Sequence, residues 1–210
     1  MLSLSYSKNI VNGFWKTDKR FELVAAVLLI YTKLSEVLKS MNREAKIQHA
    51  VRHFRLPRYQ ELPTVELYLD QTTELLNEHL AILGDVKITS SMISNYVKHQ
   101  LIRRPVKKRY GADQLAELFF IAVAKNVMPL SDLKVALKMQ RASYATATAY
   151  DYFAEELENV LAYVFGLKAR LATVGAEQGE YKRMLRNIIK AVAYKIYVDA
   201  YFKVKNAEEK

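Results

Sequence analysis

The sequence predicts an all-α protein, and three observations carry that prediction. Only six Gly and four Pro punctuate 210 residues. Apolar residues recur at helical spacing over long runs, and strand-like alternation is almost absent. A small hairpin in a basic turn around Pro105 is the one β feature expected. The 51% apolar and 26% charged fractions are those of a globular chain, long enough for one or two domains with ample core. Three segments are expected: a helical extension over residues 1–55, a compact domain over 56–140, and a helical hairpin over 141–210.

In the first segment, residues 21–31 are apolar apart from Glu22 and follow Lys16, Lys19 and Arg20. That order resembles a signal peptide, but no small-x-small cleavage site follows. The run is also far short of the roughly 20 residues that span a bilayer. An amphipathic or core helix is expected, without stable membrane insertion; an interfacial helix over residues 14–33 is the remote alternative. Met41 is a second candidate translation start, because Glu36-Val37 upstream can be encoded as GAGGTN, a ribosome-binding sequence. Residues 41–63 carry Arg43, Lys46, Arg52, Arg55 and Arg58 and end in two prolines, Pro57 and Pro63. They predict a basic helix and an extended lead-in, either an arm touching phosphates or a solvated connection.

A helix is expected over residues 64–83, with Thr64 as its N-cap and Gly84 as its stop. Glu66, Asp70 and Glu74 lie toward its positive end. Tyr68, Leu75, Leu76, His79, Leu80 and Leu83 line one face, which makes His79 a packed core histidine. Asp70 and Glu74 read as a solvated face rather than a catalytic pair.

The next stretch is the most distinctive. Residues 89–110 hold Lys98, Arg103, Arg104, Lys107, Lys108 and Arg109 and no acid. Thr89 or Ser90 can cap a short helix in which Ile93, Tyr96 or Val97, and Leu101 form a buried stripe. Ser91, Ser94, Asn95 and Lys98 are left facing out. Pro105 then stops the helix and separates two pairs of cations. A second helix, from Gly111 or Ala112 to Asn126, is apolar nearly all round through Leu115, Leu118, Phe119, Phe120, Ile121, Ala122 and Val123. It should be covered on two sides. Pro129 suits the first turn of a short third helix bearing Leu130, Leu133 and Leu137. A capped polar helix, a basic turn and a buried helix make a winged helix-turn-helix reader; the alternative is a solvated basic loop between two core helices.

The residues SSMISNYVKHQLIRRPVKKRYGADQLAELFFI resemble the DNA-binding domain of MerR-type regulators. The carrying positions are Leu101-Ile102, Pro105, Arg109-Tyr110 and Asp113-x-Leu115. One departure is that LPTVELYLDQTTELLNEHLAIL stands where that family has a short Ile-Gly-Glu-Val-Ala helix. Together with LPRYQELPTVELYLDQ, the stretch is similar to the bacterial family of domains of unknown function number eighteen thirty-six, over about residues 56–137. The resemblance implies a MerR-like winged helix-turn-helix domain, with the C-terminal helical hairpin and N-terminal helix around it, and transcriptional regulation. It supplies neither ligand nor target.

After Met139, QRASYATATA reads as a linker or a slow helix start, rich in small residues. Two long amphipathic helices are expected, over 148–168 and 180–204, broken by ATVGAEQG with Gly166, Gly175 and Gly179 around it. The first has Tyr150, Phe153, Leu157, Leu161 and Val164 on one side and Asp151, Glu155, Glu156 and Glu158 elsewhere. The second has a stripe of Leu185, Ile188, Val192, Ile196 and Ala200 among six Lys and Arg. Opposite charge favours antiparallel pairing within a subunit or between two, and a homodimer is expected along that stripe. Eight of the fourteen Tyr lie here, either as packing or as an aromatic effector cage. The last residues, KNAEEK, are expected to be disordered.

No phosphate-binding loop, dinucleotide fingerprint or nucleophile elbow is present, so an enzyme is not expected. No catalytic residue, metal site or cofactor is assigned, although His49 and His53 share helical spacing without a third ligand. Zero Cys fits a cytoplasmic home. A pI near 9.6 favours polyanionic partners. The function expected is a sequence-specific regulator that binds double-stranded DNA, as a dimer on a palindromic operator. Its contacts would be Ser91, Ser94, Asn95, Lys98, Arg103, Arg104, Lys107, Lys108, Arg109 and Tyr110. The alternative is a helical protein-interaction module with nonspecific polyanion binding.

Overall fold

The computed structural model describes residues 19–175 and 179–209, in two compact units, Met1–Ala45 and Lys46–Lys210. In the first unit the described residues belong to α1 (Lys19–His49). Leu23, Val27, Ile30, Leu34, Val37 and Met41 are each more than half exposed, as are Val24, Leu28 and Leu29 on its other sides. Residues 23–31 are therefore apolar on every side and exposed, not the amphipathic or core helix expected, whereas Lys33, Glu36 and Lys39 break the pattern further along α1. No helix among the described residues is long and apolar enough to cross a membrane.

The second unit is helical apart from one two-stranded ribbon. Its elements are β1 (Leu67–Tyr68), α2 (Leu69–Leu80), α3 (Ser90–Lys98), β2 (Arg109–Tyr110), α4 (Ala112–Ala124), α5 (Leu130–Ser143), α6 (Thr146–Val164) and α7 (Glu180–Glu208). The unit takes in both segments that the sequence divides at residue 140.

α4 is the hub. Leu115, Leu118, Phe119, Ile121 and Ala122 are wholly buried, and α2, α5, α6 and α7 all pack on it. Phe119 lies 5.9 Å from both the His79 and Tyr150 rings, and Phe120 meets Phe153 edge-on at 5.5 Å. His79 is thus a packing histidine, as expected. One acid interrupts this apolar helix: Glu117, 6% exposed, is held bidentately by Arg141 of α5 at 2.6 and 2.7 Å. A buried carboxylate persists only when paired and hydrogen-bonded.

Four expectations are corrected. Thr64 caps nothing: the helix expected from residue 64 begins at Leu69, because Leu67 and Tyr68 pair instead with Tyr110 and Arg109 as an antiparallel ribbon. Gln71 caps α2 by accepting from the Tyr68 N–H at 2.9 Å. Of the linker or slow helix start expected after Met139, the linker shrinks to Tyr144 and Ala145 and the helix starts at Thr146, since the Ala-rich stretch favours helix on both sides. The described part of KNAEEK, residues 205–209, is not a disordered tail; α7 continues to Glu208, with Val204 packed on the core and Lys205 paired to Glu209 at 3.1 Å. Finally, α1 ends at His49, so His49 and His53 do not share a helix face; among the described residues no group of three acids or histidines is placed to hold a metal.

α6 and α7 pair within the chain. Leu185, Val192 and Ile196 are buried against α6 and α4, with Ile189 fully buried where Ile188 was expected. Arg186 reaches the fully buried Glu156 at 2.7 Å. The stripe expected as a dimer seam is therefore filled by the subunit itself. The aromatic side chains form separate packing contacts, such as Tyr144 with Tyr181 and Phe165 with Tyr197.

Candidate nucleic-acid interface

The candidate interface is α3 and the basic loop behind it, residues 99–110. Local chemistry starts α3 where the sequence predicts: the Thr89 Oγ1 accepts from the Met92 N–H at 3.2 Å. Asn77 of α2 pins the preceding residue by accepting from the Ile88 N–H at 2.9 Å and donating to its carbonyl at 2.8 Å. The Ser90 hydroxyl donates to Asp70 and shares a bond with Thr73, each at 3.1 Å. α2 therefore sets both the start and the tilt of α3. Ile93 and Tyr96 fill the core, and burial pushes the Tyr96 phenol up. Ser91, Ser94 and Lys98 are exposed and Asn95 is half-buried.

The end of α3 is a Schellman motif, in which the Leu101 N–H reaches the Tyr96 carbonyl and the Gln100 N–H reaches that of Val97. Its left-handed position is Gln100, φ 58°, where glycine is the usual choice. α6 ends in the same motif with Gly166, φ 71°. Leu101 and Ile102 are buried anchors, and Arg141 donates to the Leu101 carbonyl at 2.7 Å. Gln114 of α4 clasps the loop by both ends, donating to the Arg103 carbonyl at 3.1 Å and accepting from the Gly111 N–H at 2.9 Å.

Between these anchors the chain reverses at residues 106–109, with the Arg109 N–H bonded to the Val106 carbonyl at 2.9 Å. Lys107 and Lys108 sit at φ 48° and 65°. Two central residues with positive φ define the tight hairpin turn that favours Asn-Gly. Gln100, Lys107 and Lys108 are the positive-φ non-glycine residues among those described, and all three fall in one nine-residue stretch. Left-handed backbone costs such residues on the order of 1 kcal/mol each. Lys107→Asn with Lys108→Gly should therefore raise unfolding stability by about 1–2 kcal/mol; denaturant titration would measure it.

Lys98, Arg103, Arg104, Lys107 and Lys108 are exposed, and none makes an ion pair among the described residues. Arg109 differs. Its guanidinium donates to the Tyr68 hydroxyl at 3.1 Å and lies 5.1 Å from that ring's centroid. That hydrogen bond, first of all, raises its pKa. It closes the loop against β1 rather than against the following helix. Tyr110 is 4% exposed, and burial pushes its phenol up. Its ring is core, so it leaves the set of expected contacts. The basic lead-in is also partly neutralised: Arg55 pairs with Glu61 and Arg58 with Glu158, both at 2.7 Å.

Residues 57–153 match the family described as Domain of unknown function (DUF1836), which bears out that part of the resemblance and runs from before β1 into the first half of α6. No curated protein and no solved structure matches the chain.

Proposed function

We propose that this protein is a sequence-specific regulator that binds duplex DNA through α3 and the loop 99–110, used as a MerR-like winged helix-turn-helix. The observation that carries the reading is four exposed cations, Arg103, Arg104, Lys107 and Lys108, without acidic partners among the described residues, set directly behind a helix whose outer face is Ser91, Ser94, Asn95 and Lys98. α3 has nine residues, about 13 Å of helix, and a major groove is about 12 Å wide. Held by Asn77, Gln114 and Arg141, the face is pre-positioned, so little ordering would be lost on binding. The strained lysine turn supports the reading too, because strain collects where a side chain must be presented rather than where the fold is most stable.

The two parts of the surface should behave differently. Arg104 reaches phosphate, which carries no base information, whereas Asn95 has the amide pair that bridges adenine N6 and N7. Arg104→Ala should weaken specific and random duplexes alike and reduce the log–log salt slope by about one. Asn95→Ala should cost roughly 1–3 kcal/mol on the selected site and little on random DNA. Electrophoretic shifts of both variants on both duplexes decide the assignment. Equal losses on both duplexes for Asn95→Ala would favour the alternative, a helical interaction module with nonspecific polyanion binding.

A further inference from the structure

We infer that the cavity between α6 and α7 binds a small molecule carrying a di- or triphosphate chain. The cavity holds about 310 Å3 and is lined on the α7 side by Lys182, Arg183, Arg186 and Lys190. Their spacing of i, i+1, i+4 and i+8 keeps them along one face over about 12 Å of helix. No carboxylate is among the described lining residues. Lys182, Arg183 and Lys190 make no ion pair among the described residues.

Two contacts place two of the four cations, Lys182 and Arg186. The Lys182 ammonium lies 4.9 Å from the Tyr152 ring centroid, across the cavity on α6. Gly175 lies close beside that ammonium: a Cβ there, φ +72°, would stand 3.1 Å from the Lys182 Nζ. Arg186 is fixed by Glu156, which is wholly buried beneath it. This pair uses one cation's charge and leaves three without an ion-pair partner among the described residues, in a concave site.

Crowded cations in a recess repel one another, and an anion that enters is attracted more strongly than on an open surface. Arg supplies a planar fork matched to phosphate oxygens, and Lys a mobile point charge. A 12 Å stripe is longer than one orthophosphate can span, which selects a polyphosphate chain. The volume sits at the lower end for small-molecule sites and is too recessed for a duplex. This inference does not depend on the DNA reading, since none of its residues belongs to the loop 99–110.

The test is calorimetric titration of the full chain with inorganic triphosphate, and with orthophosphate for comparison. We expect saturable binding of one triphosphate per chain, roughly tenfold or more tighter than orthophosphate. Arg183→Gln with Lys190→Gln should weaken it by about tenfold or more, and Lys107→Gln with Lys108→Gln should leave it unchanged. Circular dichroism checks that each variant folds; should the double cavity variant not, Lys190→Gln alone carries the comparison. Absent or non-saturable binding, equal affinity for orthophosphate, or an equal loss in the loop variant would each overturn the inference.

Discussion

Arg141→Met should cost the fold about 3–5 kcal/mol, the largest single-residue effect expected here, because it strands a buried charge. Glu117 is 6% exposed and has Arg141 as its ion-pair partner. The substitution also removes the donor from the Leu101 carbonyl, an acceptor at the base of the basic loop. Urea unfolding of the two proteins would show a large fall in midpoint with little change in slope. Adding Glu117→Met should recover most of the stability, since replacing both partners with apolar groups of similar volume is often neutral. The double variant still lacks the Leu101 donor. It should therefore regain stability without regaining full DNA affinity, which separates holding the fold from positioning the loop. A double variant as unstable as the single one would show that the ion pair is not what Arg141 supplies.

The second large effect concerns binding. Five cations on phosphates would give a log–log salt slope of about −4.5 per chain, a loss of several hundredfold between roughly 50 and 200 mM salt. Replacing Lys98, Arg103, Arg104, Lys107 and Lys108 together with Gln should flatten most of that slope and abolish binding at the higher salt. These side chains are exposed and outside the core, so the variant should fold normally. It also keeps half of the chain's +10 net charge. A slope that survived would place the phosphate contacts elsewhere, with the N-terminal lead-in and α7 as the remaining basic surfaces. Fluorescence anisotropy over a salt series would measure both proteins on one duplex.

Features written in local chemistry were legible in advance. Thr89 or Ser90 had to cap a helix, Gly84 had to end one, and the apolar run from Leu115 to Ala124, interrupted only by Glu117, had to be covered on more than one side; each follows from groups within a few residues. Features that depend on distant partners were not. Leu67 and Tyr68 are too few to show a strand period, so the residues before α2 looked like its first turn. The α7 stripe showed that a surface must cover it, but an amphipathic pattern does not say whose; α6 and α4 supply the cover. Glu117, alone in an apolar run, was the one available sign of a buried ion pair, and Arg141 lay 24 residues away. Exposure of the cations was legible; the backbone geometry that presents them was not. Lys-Lys is a rare pair for a tight hairpin turn, and nothing in composition signals it.

The ribbon joining Leu67–Tyr68 to Arg109–Tyr110 has a consequence for the order in which the molecule assembles. A hairpin whose strands adjoin its own turn closes in microseconds. Here the tip at residues 106–109 is local, but the ribbon that steadies its base joins residues 41 apart, with α2 and α3 inside the loop it closes. Such a closure is favourable only after the intervening helices have condensed, α3 on α2 and α2 on α4, because its entropic cost precedes any return from two residue pairs. The basic loop should thus be among the last parts to acquire its shape and the first to lose it. A fragment of residues 88–139 would keep the cations but not their arrangement.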